Sequence, residues 1–259
     1  MLKEKLVKDY FRQDGTVFKW WDPEQSDMVH VYARETKRIL DWLREEKEIK
    51  DILDVSCGRG RILQKISSSY RVTGLDISDE MLRFVQSNIS HVNLIEGDAE
   101  NLPFQSGSFD CIVCLKSLVH YPNPQRALAE FNRVLRGAGI LIADIDNALS
   151  LKRIIKTVNH SLNKIVDKNF RPVSEGIYRP FNIRQFVDML NLAGFKIEEK
   201  VYEGVIVPIA FSLPGGRRTQ IITGKLSQQL ESLDRVFEKT PGIEKLATYL
   251  LVKCSKSKD

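Results

Sequence analysis

Residues 51–66 have the sequence "DILDVSCGRGRILQKI", which contains the local signals that decide the fold. A short apolar run predicts a buried strand, two glycines flank an arginine, and the apolar spacing then predicts a helix from Gly60 to Ser68. A glycine-containing turn between a strand and a helix N-terminus exposes backbone N–H groups and the positive end of the helix dipole. Such a turn suits a phosphate or a carboxylate, and the surrounding residues decide which ligand it holds.

Strand and helix patterns alternate from Asp51 to Asp146. Apolar strand runs are expected at 51–56, 71–77, 92–98, 108–116 and 137–146, with amphipathic helices at 79–88 and 123–135. Beyond this region the patterns predict helices at 182–194, near 225–237 and at roughly 30–47, and strands at 195–203 and 246–255. Strands that alternate with helices indicate right-handed crossovers and a parallel sheet covered on both faces. We therefore expect an α/β, doubly wound fold.

Length and composition exclude several classes of protein. A chain of 259 residues fits one large domain or one domain with a substantial insertion. It has no apolar run long enough for a membrane span, and residues 1–15 lack the apolar segment of a secretory signal, so we expect no span and a cytoplasmic location. Cys111 and Cys114 fall on opposite faces of a predicted strand, which argues against a shared metal or a mutual disulfide.

Two nucleotide-binding motifs compete for the turn at 56–60. The G-x-x-x-x-G-K-[ST] run of a P-loop does not occur in the chain, which argues against nucleoside-triphosphate hydrolysis by that route. A dinucleotide fold needs G-x-G-x-x-G, but Leu63 follows Gly58 and Gly60 at the third position. The larger side chain keeps the helix from approaching the strand closely. An NAD-dependent oxidoreductase on a similar fold is therefore kept as an alternative.

Five segments occur along the chain in this order: "DVSCGRG", "LDIS", "GDAENLPF", "FDCIV" and "VLRGAGILI". In content and order they resemble the class I S-adenosylmethionine-dependent methyltransferases. The chain is similar to the branch of small-molecule and lipid enzymes that includes the ubiquinone and menaquinone biosynthesis methyltransferases. The resemblance covers about residues 45–146 and extends to the "AGF" step at 193–195. It implies a Rossmann-like, mostly parallel sheet of seven strands with helical lid and cap insertions, an enzyme that transfers methyl groups, and S-adenosylmethionine as the cofactor.

The resemblance also implies which residues hold the cofactor. The segment from Asp54 to Gly60 matches the family loop [DE]-x-G-x-G-x-G at the methionine end of the cofactor, where Gly58 and Gly60 allow close backbone approach. Ser56 replaces the first glycine of that loop. Its Cβ is tolerable if its φ is negative, and its hydroxyl is able to donate a hydrogen bond to the cofactor carboxylate.

Residues after the next strands are implied to bind the rest of the cofactor. Asp76 is placed to accept from both ribose hydroxyls, and Ile77 offers an apolar face to the adenine. Asp98 is similar to the acid that accepts from the adenine amino group, with the backbone of Ala99 at the ring edge, while Leu115 would lie under the sulfonium. Each aspartate also has a plainer interpretation as a capping or turn residue. No metal ligand is expected.

His120, within "LKSLVHYPNP", is the candidate catalytic base. It follows the fourth predicted strand and so lies at the edge where ligands bind, and an imidazole with an ordinary pKa of about 6.5 suits deprotonation of a hydroxyl. Its alternative interpretation is a loop residue that packs without chemistry. Tyr121 beside it is a candidate substrate contact. A base is optional, because alignment of the acceptor with the methyl group supplies much of the rate.

The predicted organisation has four parts. We expect an N-terminal helical lid at 1–50, a cofactor-binding core at 51–146, a basic cap insertion at 147–181 and the C-terminal part of the core sheet at 182–259, with an insertion at about 203–245. Aromatic residues are dense in the first part, where they either pack a core or line a ligand cleft.

Charge and apolar patterning indicate the class of substrate. Residues 151–171 contain six Lys and Arg against one Asp, which is either a solvated helix face or a segment that attracts an anionic group. The apolar segment 204–216 favours an acceptor that has hydrophobic surface. We expect a small-molecule or lipid-like acceptor, anionic if the basic segment contacts it. A tRNA or RNA methyltransferase, disfavoured by a net charge of only +5, and a cofactor-binding protein without turnover are the alternatives. The acceptor atom and the oligomeric state stay open.

Overall fold

The computed structural model describes residues 9–11, 29–155, 157, 178–206, 210–212, 218–220 and 225–257. The helices within these residues are α1 (Val29–Glu45), α2 (Leu63–Ile66), α3 (Asp79–Asn88), α4 (Pro124–Val134), α5 (Ile183–Leu192) and α6 (Lys225–Phe237). The strands are β1 (Asp51–Val55), β2 (Arg71–Asp76), β3 (Val92–Glu96), β4 (Phe109–Cys114), β5 (Leu135–Asp146), β6 (Phe195–Glu203), β7 (Ala210–Ser212), β8 (Arg218–Gln220) and β9 (Tyr249–Lys256). Short 3-10 turns lie at Leu118–His120 and Glu244–Leu246.

Seven of the described strands form one sheet, in the order β3-β2-β1-β4-β5-β9-β6. β1 pairs in parallel with β2 and β4, whereas β9 runs antiparallel to both of its neighbours, β5 and β6. The chain order reverses between β1 and β4, and open α/β sheets bind ligands outside the carboxyl ends of their strands at such a switch point. The doubly wound, mostly parallel, seven-stranded sheet expected from the sequence is confirmed.

Apolar layers cover both faces of the sheet. Helices α4 and α5 cover one face, with Phe131 and Phe186 fully buried, and α1, α2 and α3 cover the other, with Trp42 fully buried. Cys114 belongs to the first layer and Cys111 to the second, so the two free thiols lie on opposite faces of β4 as the period of the strand requires. Among the helices that the structure describes, none is both long and apolar enough to cross a bilayer.

Side-chain caps fix the starts of the helices that follow the carboxyl edge. Ser78 Oγ accepts a hydrogen bond from Met81 N at 3.4 Å at the start of α3. Asn123 Oδ1 accepts one from Arg126 N at 3.1 Å, and Pro124 occupies the first turn of α4. A proline is tolerated there because the first helical N–H groups have no intrahelical partner. Both helices begin where the sequence predicts.

Local structure differs from the sequence-based expectation in two places. The helix expected from Gly60 to Ser68 is reduced to the four residues of α2, and residues 58–62 form turns, because Gly58 and Gly60 have positive φ angles. The prediction that the loop lies at the positive end of a helix dipole is therefore wrong, since a helix of four residues aligns few peptide groups. The antiparallel pair of β7 and β8 was not predicted. Most of the basic insertion, residues 158–177, lies outside the described residues.

Candidate active site

The loop after β1 has a left-handed backbone at Ser56, Gly58 and Gly60, whose φ angles are +56°, +53° and +77°. Glycine adopts this region freely, whereas a residue with a Cβ loses about 1–2 kcal/mol. Ser56 therefore does not meet the condition, a negative φ, under which its Cβ would be tolerated without strain. Contacts of the Ser56 side chain must stabilise a backbone conformation that serine disfavours.

The Ser56 side chain makes its contact across the switch point. Ser56 Oγ lies 2.8 Å from Tyr121 Oη, a hydrogen bond between residues 65 positions apart. Tyr121 Oη also lies 3.5 Å from Cys114 Sγ at the end of β4. Burial raises the pKa of Tyr121 well above its usual value, so the hydroxyl keeps its proton. This contact joins the loop after β1 to the segment after β4.

Asp76, at the end of β2, binds the same loop. Its Oδ2 accepts a hydrogen bond from Gly58 N at 2.8 Å, and its Oδ1 accepts one from Ser78 N at 2.9 Å. Burial raises the pKa of this carboxyl, although the backbone N–H groups oppose the shift. A carboxylate has about four lone-pair sites, which leaves others for a ligand. The structure brings Asp76 and the loop together, and its contact with a ribose stays a prediction.

The residues predicted after β3 lie along the same edge. Gly97 N donates to Asp76 O at 2.9 Å, which holds Asp98 near the end of β2. Asp98 Oδ1 accepts a hydrogen bond at 2.9 Å from the N–H two residues later, as a turn aspartate does. Ala99 is buried and Ile77 is half-buried. Their assigned contacts with an adenine stay predictions.

The glycines of the loop differ in the space beside them. A Cβ added to Gly60 would lie 2.5 Å from Ile89 Cδ1, the flexible end of a side chain, so Ile89 would have to shift; the φ of +77° is the stronger reason for a glycine here. A Cβ added to Gly58 would meet no heavy atom of the described residues within 4 Å. The backbone at Gly58 therefore borders open space, which fits a ligand that approaches the main chain closely.

Asp54 lies on β1 beneath this loop and is 4% exposed. Burial raises its pKa to about 7; the attraction of Arg61 opposes the shift and the charge of Asp76 adds to it. Asp54 therefore binds a proton much more readily than an exposed aspartate. The loop thus has two neighbouring acids, and Asp54 is the one buried more deeply.

A buried group of charges at the carboxyl ends of β4 and β5 was missed by the sequence analysis. Lys116 Nζ donates to Glu35 Oε1 at 2.6 Å and also to Asp144 Oδ2. Lys116 N donates to Asp144 Oδ1 at 2.6 Å, and Arg61 donates to Glu35 Oε2 at 2.6 Å. We call Glu35, Arg61, Lys116 and Asp144 the ion cluster. Lys116 after a strand was a visible signal, but its partners are 81 and 28 positions away.

The members of the ion cluster differ in how they titrate. Burial opposes ionisation of Glu35, but Lys116 and Arg61 outweigh it and lower the pKa of Glu35 to about 2. Burial raises the pKa of Asp144 to about 7, since the charge of Glu35 offsets part of the attraction of Lys116. Burial also opposes the charge of Lys116, but the two carboxylates raise its pKa. Lys116 therefore stays cationic, and Asp144 is the member that takes up a proton first.

Two tyrosines enclose the Lys116 ammonium. Tyr32 Oη of α1 lies 3.1 Å from Tyr249 Oη of β9. Lys116 Nζ lies 3.5 Å from the centroid of the Tyr249 ring and 5.3 Å from that of Tyr32. Cations bind aromatic faces at these distances, so the rings add to the stabilisation of the charge. The cluster thereby ties α1 and β9 to the end of β4.

His120, the predicted base, ends the 3-10 turn after β4. Its ring packs against those of Phe11 and Tyr178, at centroid distances of 5.1 Å and 5.6 Å. The Tyr178 hydroxyl donates to Asp146 Oδ2 at the end of β5. Leu115, directly after β4, is buried. The structure thus brings His120 to the carboxyl edge among aromatic groups, while the roles of His120 and Leu115 stay predictions.

These groups border the carboxyl edge on both sides of the switch point. The loop and two aspartates lie on one side, His120 and the ion cluster lie on the other, and the hydrogen bond between Ser56 and Tyr121 joins them. The arrangement can hold one ligand against backbone and carboxylate groups and orient a second molecule beside it. Among the residues that the structure describes, no group of three or more His, Cys, Asp or Glu is suited to a metal ion.

Comparison with known proteins identifies a domain in this part of the chain. A family model described as "Methyltransferase domain" matches residues 53–143. An uncharacterised protein of Methanocaldococcus jannaschii is 28% identical over 206 residues, which cover 73% of this chain and 79% of that protein. A demethylmenaquinone methyltransferase of Thermotoga maritima is 34% identical over 109 residues, 41% of this chain and 47% of that enzyme. The chain therefore spans less than half the length of this second relative.

A solved structure extends the likeness to almost the whole chain. The magnesium protoporphyrin IX methyltransferase of Synechocystis, solved with bound SAH, matches with a TM-score of 0.61 and covers 98% of this chain and 100% of its own. The two sequences are 16% identical, so the likeness is one of fold. The matched domain contains the loop, Asp76, Asp98 and His120.

Proposed function

Because this chain belongs to the class I S-adenosylmethionine-dependent methyltransferases, through its domain at residues 53–143, we propose that it methylates a small-molecule or lipid-like acceptor. One observation carries the proposal. The candidate ligand-binding residues at the carboxyl edge form two neighbouring groups, the loop with Asp76 and the segment with His120. The hydrogen bond between Ser56 Oγ and Tyr121 Oη, at 2.8 Å, joins the two groups. A methyl donor and a methyl acceptor need two such neighbouring sites.

In this proposal the first side holds the cofactor. The backbone at Gly58, which borders open space, receives the methionine end, and Asp76 accepts from the ribose hydroxyls while it keeps its bond to Gly58 N. Asp98 and Ala99 bind the adenine, and Ile77 contacts its face. When bound, S-adenosylmethionine supplies a methyl group on a sulfonium, an electrophile that needs no further activation.

The second side orients the acceptor. Holding an acceptor atom in line with the methyl group contributes roughly 7–11 kcal/mol to lowering the barrier. His120 takes the proton of an acceptor hydroxyl at a ring nitrogen, and the rings of Phe11 and Tyr178 that pack on it favour a flat or apolar acceptor. One relative, a demethylmenaquinone methyltransferase, acts by its name on demethylmenaquinone, which supports an acceptor of this kind. A cytoplasmic location and an anionic head on the acceptor belong to the same proposal.

Calorimetry tests the cofactor side first. We expect S-adenosylhomocysteine to bind the wild-type protein and NAD not to bind. Asp76→Ala should weaken S-adenosylhomocysteine binding by about 10- to 100-fold, the effect of a lost hydrogen bond to a charged group. Asp79→Ala is the matched control, since the Asp79 side chain is 60% exposed and pairs with Arg83 at 2.9 Å on the surface of α3. Binding of NAD alone, or equal affinity of wild type and Asp76→Ala, contradicts the proposal.

Transfer of a labelled methyl group to a panel of acceptors tests the second side. The panel contains quinols, phenols, lipid extracts and tRNA. Labelling of tRNA alone would indicate an RNA methyltransferase. His120→Gln should lower the rate at least about tenfold while S-adenosylhomocysteine binding is unchanged. His30→Gln, an exposed histidine of α1, is the control. Cofactor binding with no transfer to any acceptor would favour the non-catalytic alternative.

A further inference from the structure

The hydrogen bond between Ser56 and Tyr121 is unusual for its place in the loop. Ser56 stands where the family's loop has glycine, and its φ of +56° is one that glycine would adopt freely. The backbone conformation therefore does not explain the serine. Its hydroxyl is used instead, at 2.8 Å from Tyr121 Oη.

The donors of this contact form a chain. A tyrosine hydroxyl and a serine hydroxyl each carry one proton, and a thiol carries a weak donor. Cys114 Sγ lies 3.5 Å from Tyr121 Oη, and burial raises the pKa of Cys114, so the thiol stays protonated. When Cys114 donates to Tyr121 and Tyr121 donates to Ser56, the Ser56 hydroxyl proton is free to donate to an acceptor outside this series of hydrogen bonds, such as a ligand. Ser56 is half-buried at the loop, so such an acceptor can reach it.

We propose that Ser56 and Tyr121 act as one positioning unit, in which Tyr121 orients the Ser56 hydroxyl toward the carboxylate of the bound methyl donor. The inference rests on the proposed function, because it needs the cofactor at the loop after β1. Tyr121 touches no part of the cofactor in this account and acts through Ser56. It packs against the apolar layer that contains Phe131, which fixes its ring.

The position of Tyr121 also explains why the unit spans the switch point. Tyr121 directly follows His120, and its N–H donates to Leu118 O at 3.3 Å within the 3-10 turn. Hydrogen bonds that run in series orient one another, so a proton donor held at one end is presented in a fixed direction at the other. The segment that carries the candidate base thereby sets the geometry of the cofactor loop.

A double-mutant cycle measures whether the two hydroxyls act together. The proteins are wild type, Ser56→Ala, Tyr121→Phe and the double variant, and the readout is the Kd of S-adenosylhomocysteine by calorimetry. We expect each single change to weaken binding about tenfold and the double change to weaken it no further than about twofold more. Multiplication of the two effects, to about 100-fold, would mean independent roles and would overturn the proposal.

A second ligand separates orientation of the hydroxyl from general damage to the loop. 5′-Methylthioadenosine has the adenosine and the thioether but no amino-acid carboxylate. Its Kd should change less than about twofold in Tyr121→Phe and Ser56→Ala. Equal weakening of both ligands overturns the proposal, because the loop as a whole would then be disturbed.

Control variants keep the result interpretable. Tyr70→Phe removes a tyrosine hydroxyl that donates to Leu43 O at 3.2 Å away from the site, and it should leave both affinities unchanged. Thermal melts identify a variant that fails to fold. If Tyr121→Phe fails to fold, the comparison of S-adenosylhomocysteine with 5′-methylthioadenosine is made with Ser56→Ala alone. A wild-type protein that does not bind S-adenosylhomocysteine overturns the proposed function, whereas binding that neither variant weakens overturns only the positioning unit.

Discussion

At the carboxyl ends of β1, β2 and β3, polar side chains bind the backbone of nearby turns, whereas after β4 and near the end of β5 charged side chains bind one another. Asp76 bonds to the N–H groups of Ser78 and Gly58, 2 and 18 positions away. By contrast, Lys116 and Glu35 are 81 positions apart. The first half of the edge is thus built from local segments and leaves open space at Gly58, and the second half is held by buried charges from distant segments.

The largest effect should follow from breaking the ion cluster. Lys116→Met leaves Asp144 and Glu35 buried without their shared cation, and removal of one partner of a buried pair costs about 3–5 kcal/mol. We expect the free energy of unfolding at pH 7, from urea titration, to fall by that amount. Lys37→Met is the control: Lys37 pairs with Asp41 at 2.7 Å but is 78% exposed, so its loss should change stability by less than about 1 kcal/mol. An equal loss of unfolding free energy in Lys116→Met and Lys37→Met would contradict the idea that buried charges hold the second half of the edge.

The first half should respond in ligand binding more than in stability. Gly58→Ala places a Cβ in open space at a φ of +53°, so we expect a stability loss of about 1 kcal/mol and a loss of S-adenosylhomocysteine affinity of about tenfold from the added clash. Gly107→Ala is matched, because Gly107 has a φ of +68° and equally open space but lies before β4. Gly107→Ala should lose the same stability, about 1 kcal/mol, and keep the wild-type affinity for S-adenosylhomocysteine. An unchanged affinity in Gly58→Ala would contradict the place assigned to the methionine end.

The smallest effect concerns the acids that surround Arg34 between α1, α6 and the end of β6. Burial raises the pKa of Glu238 to about 7; its bond from Gly204 N and the charge of Arg34 oppose the shift, and Asp234 adds to it. A carboxyl whose pKa is raised on folding stabilises the protein below its ordinary pKa of about 4.5, and that contribution is lost as the pH rises through about 7. Glu203 and Glu231 also face this group from β6 and α6, which adds to the negative charge.

Glu238→Gln removes this titration. The Tm of the variant relative to wild type should therefore increase by about 2 °C or more between pH 5 and pH 8, as measured by calorimetric scans. Glu48→Gln, an exposed glutamate after α1, should show no such trend. A difference in Tm that is constant with pH would mean that Glu238 is ionised throughout this range in the folded protein.

Prediction from the sequence succeeded for the first half of the edge because its signals are short. The apolar period placed β1 to β5 and the amphipathic helices α3 and α4 between them. The same reasoning was wrong about the length of α2 and left the φ angle of Ser56 open, since a φ angle depends on contacts such as Tyr121 that lie far along the chain. It missed β7 and β8, whose three residues each are too few to show a period.

The amino-acid sequence alone was sufficient for the α/β class, the doubly wound sheet, the methyltransferase resemblance and the position of Asp76, because each follows from residues within a few turns or one strand of each other. Only the tertiary structure decided that Glu35 and Arg61 meet Lys116, that Tyr32 meets Tyr249, and that Ser56 bonds to Tyr121. A charged or hydroxyl side chain has the same local pattern whether it is solvated or paired. Its partner is chosen by the packing of helices onto the sheet, which brings together residues that no local period relates.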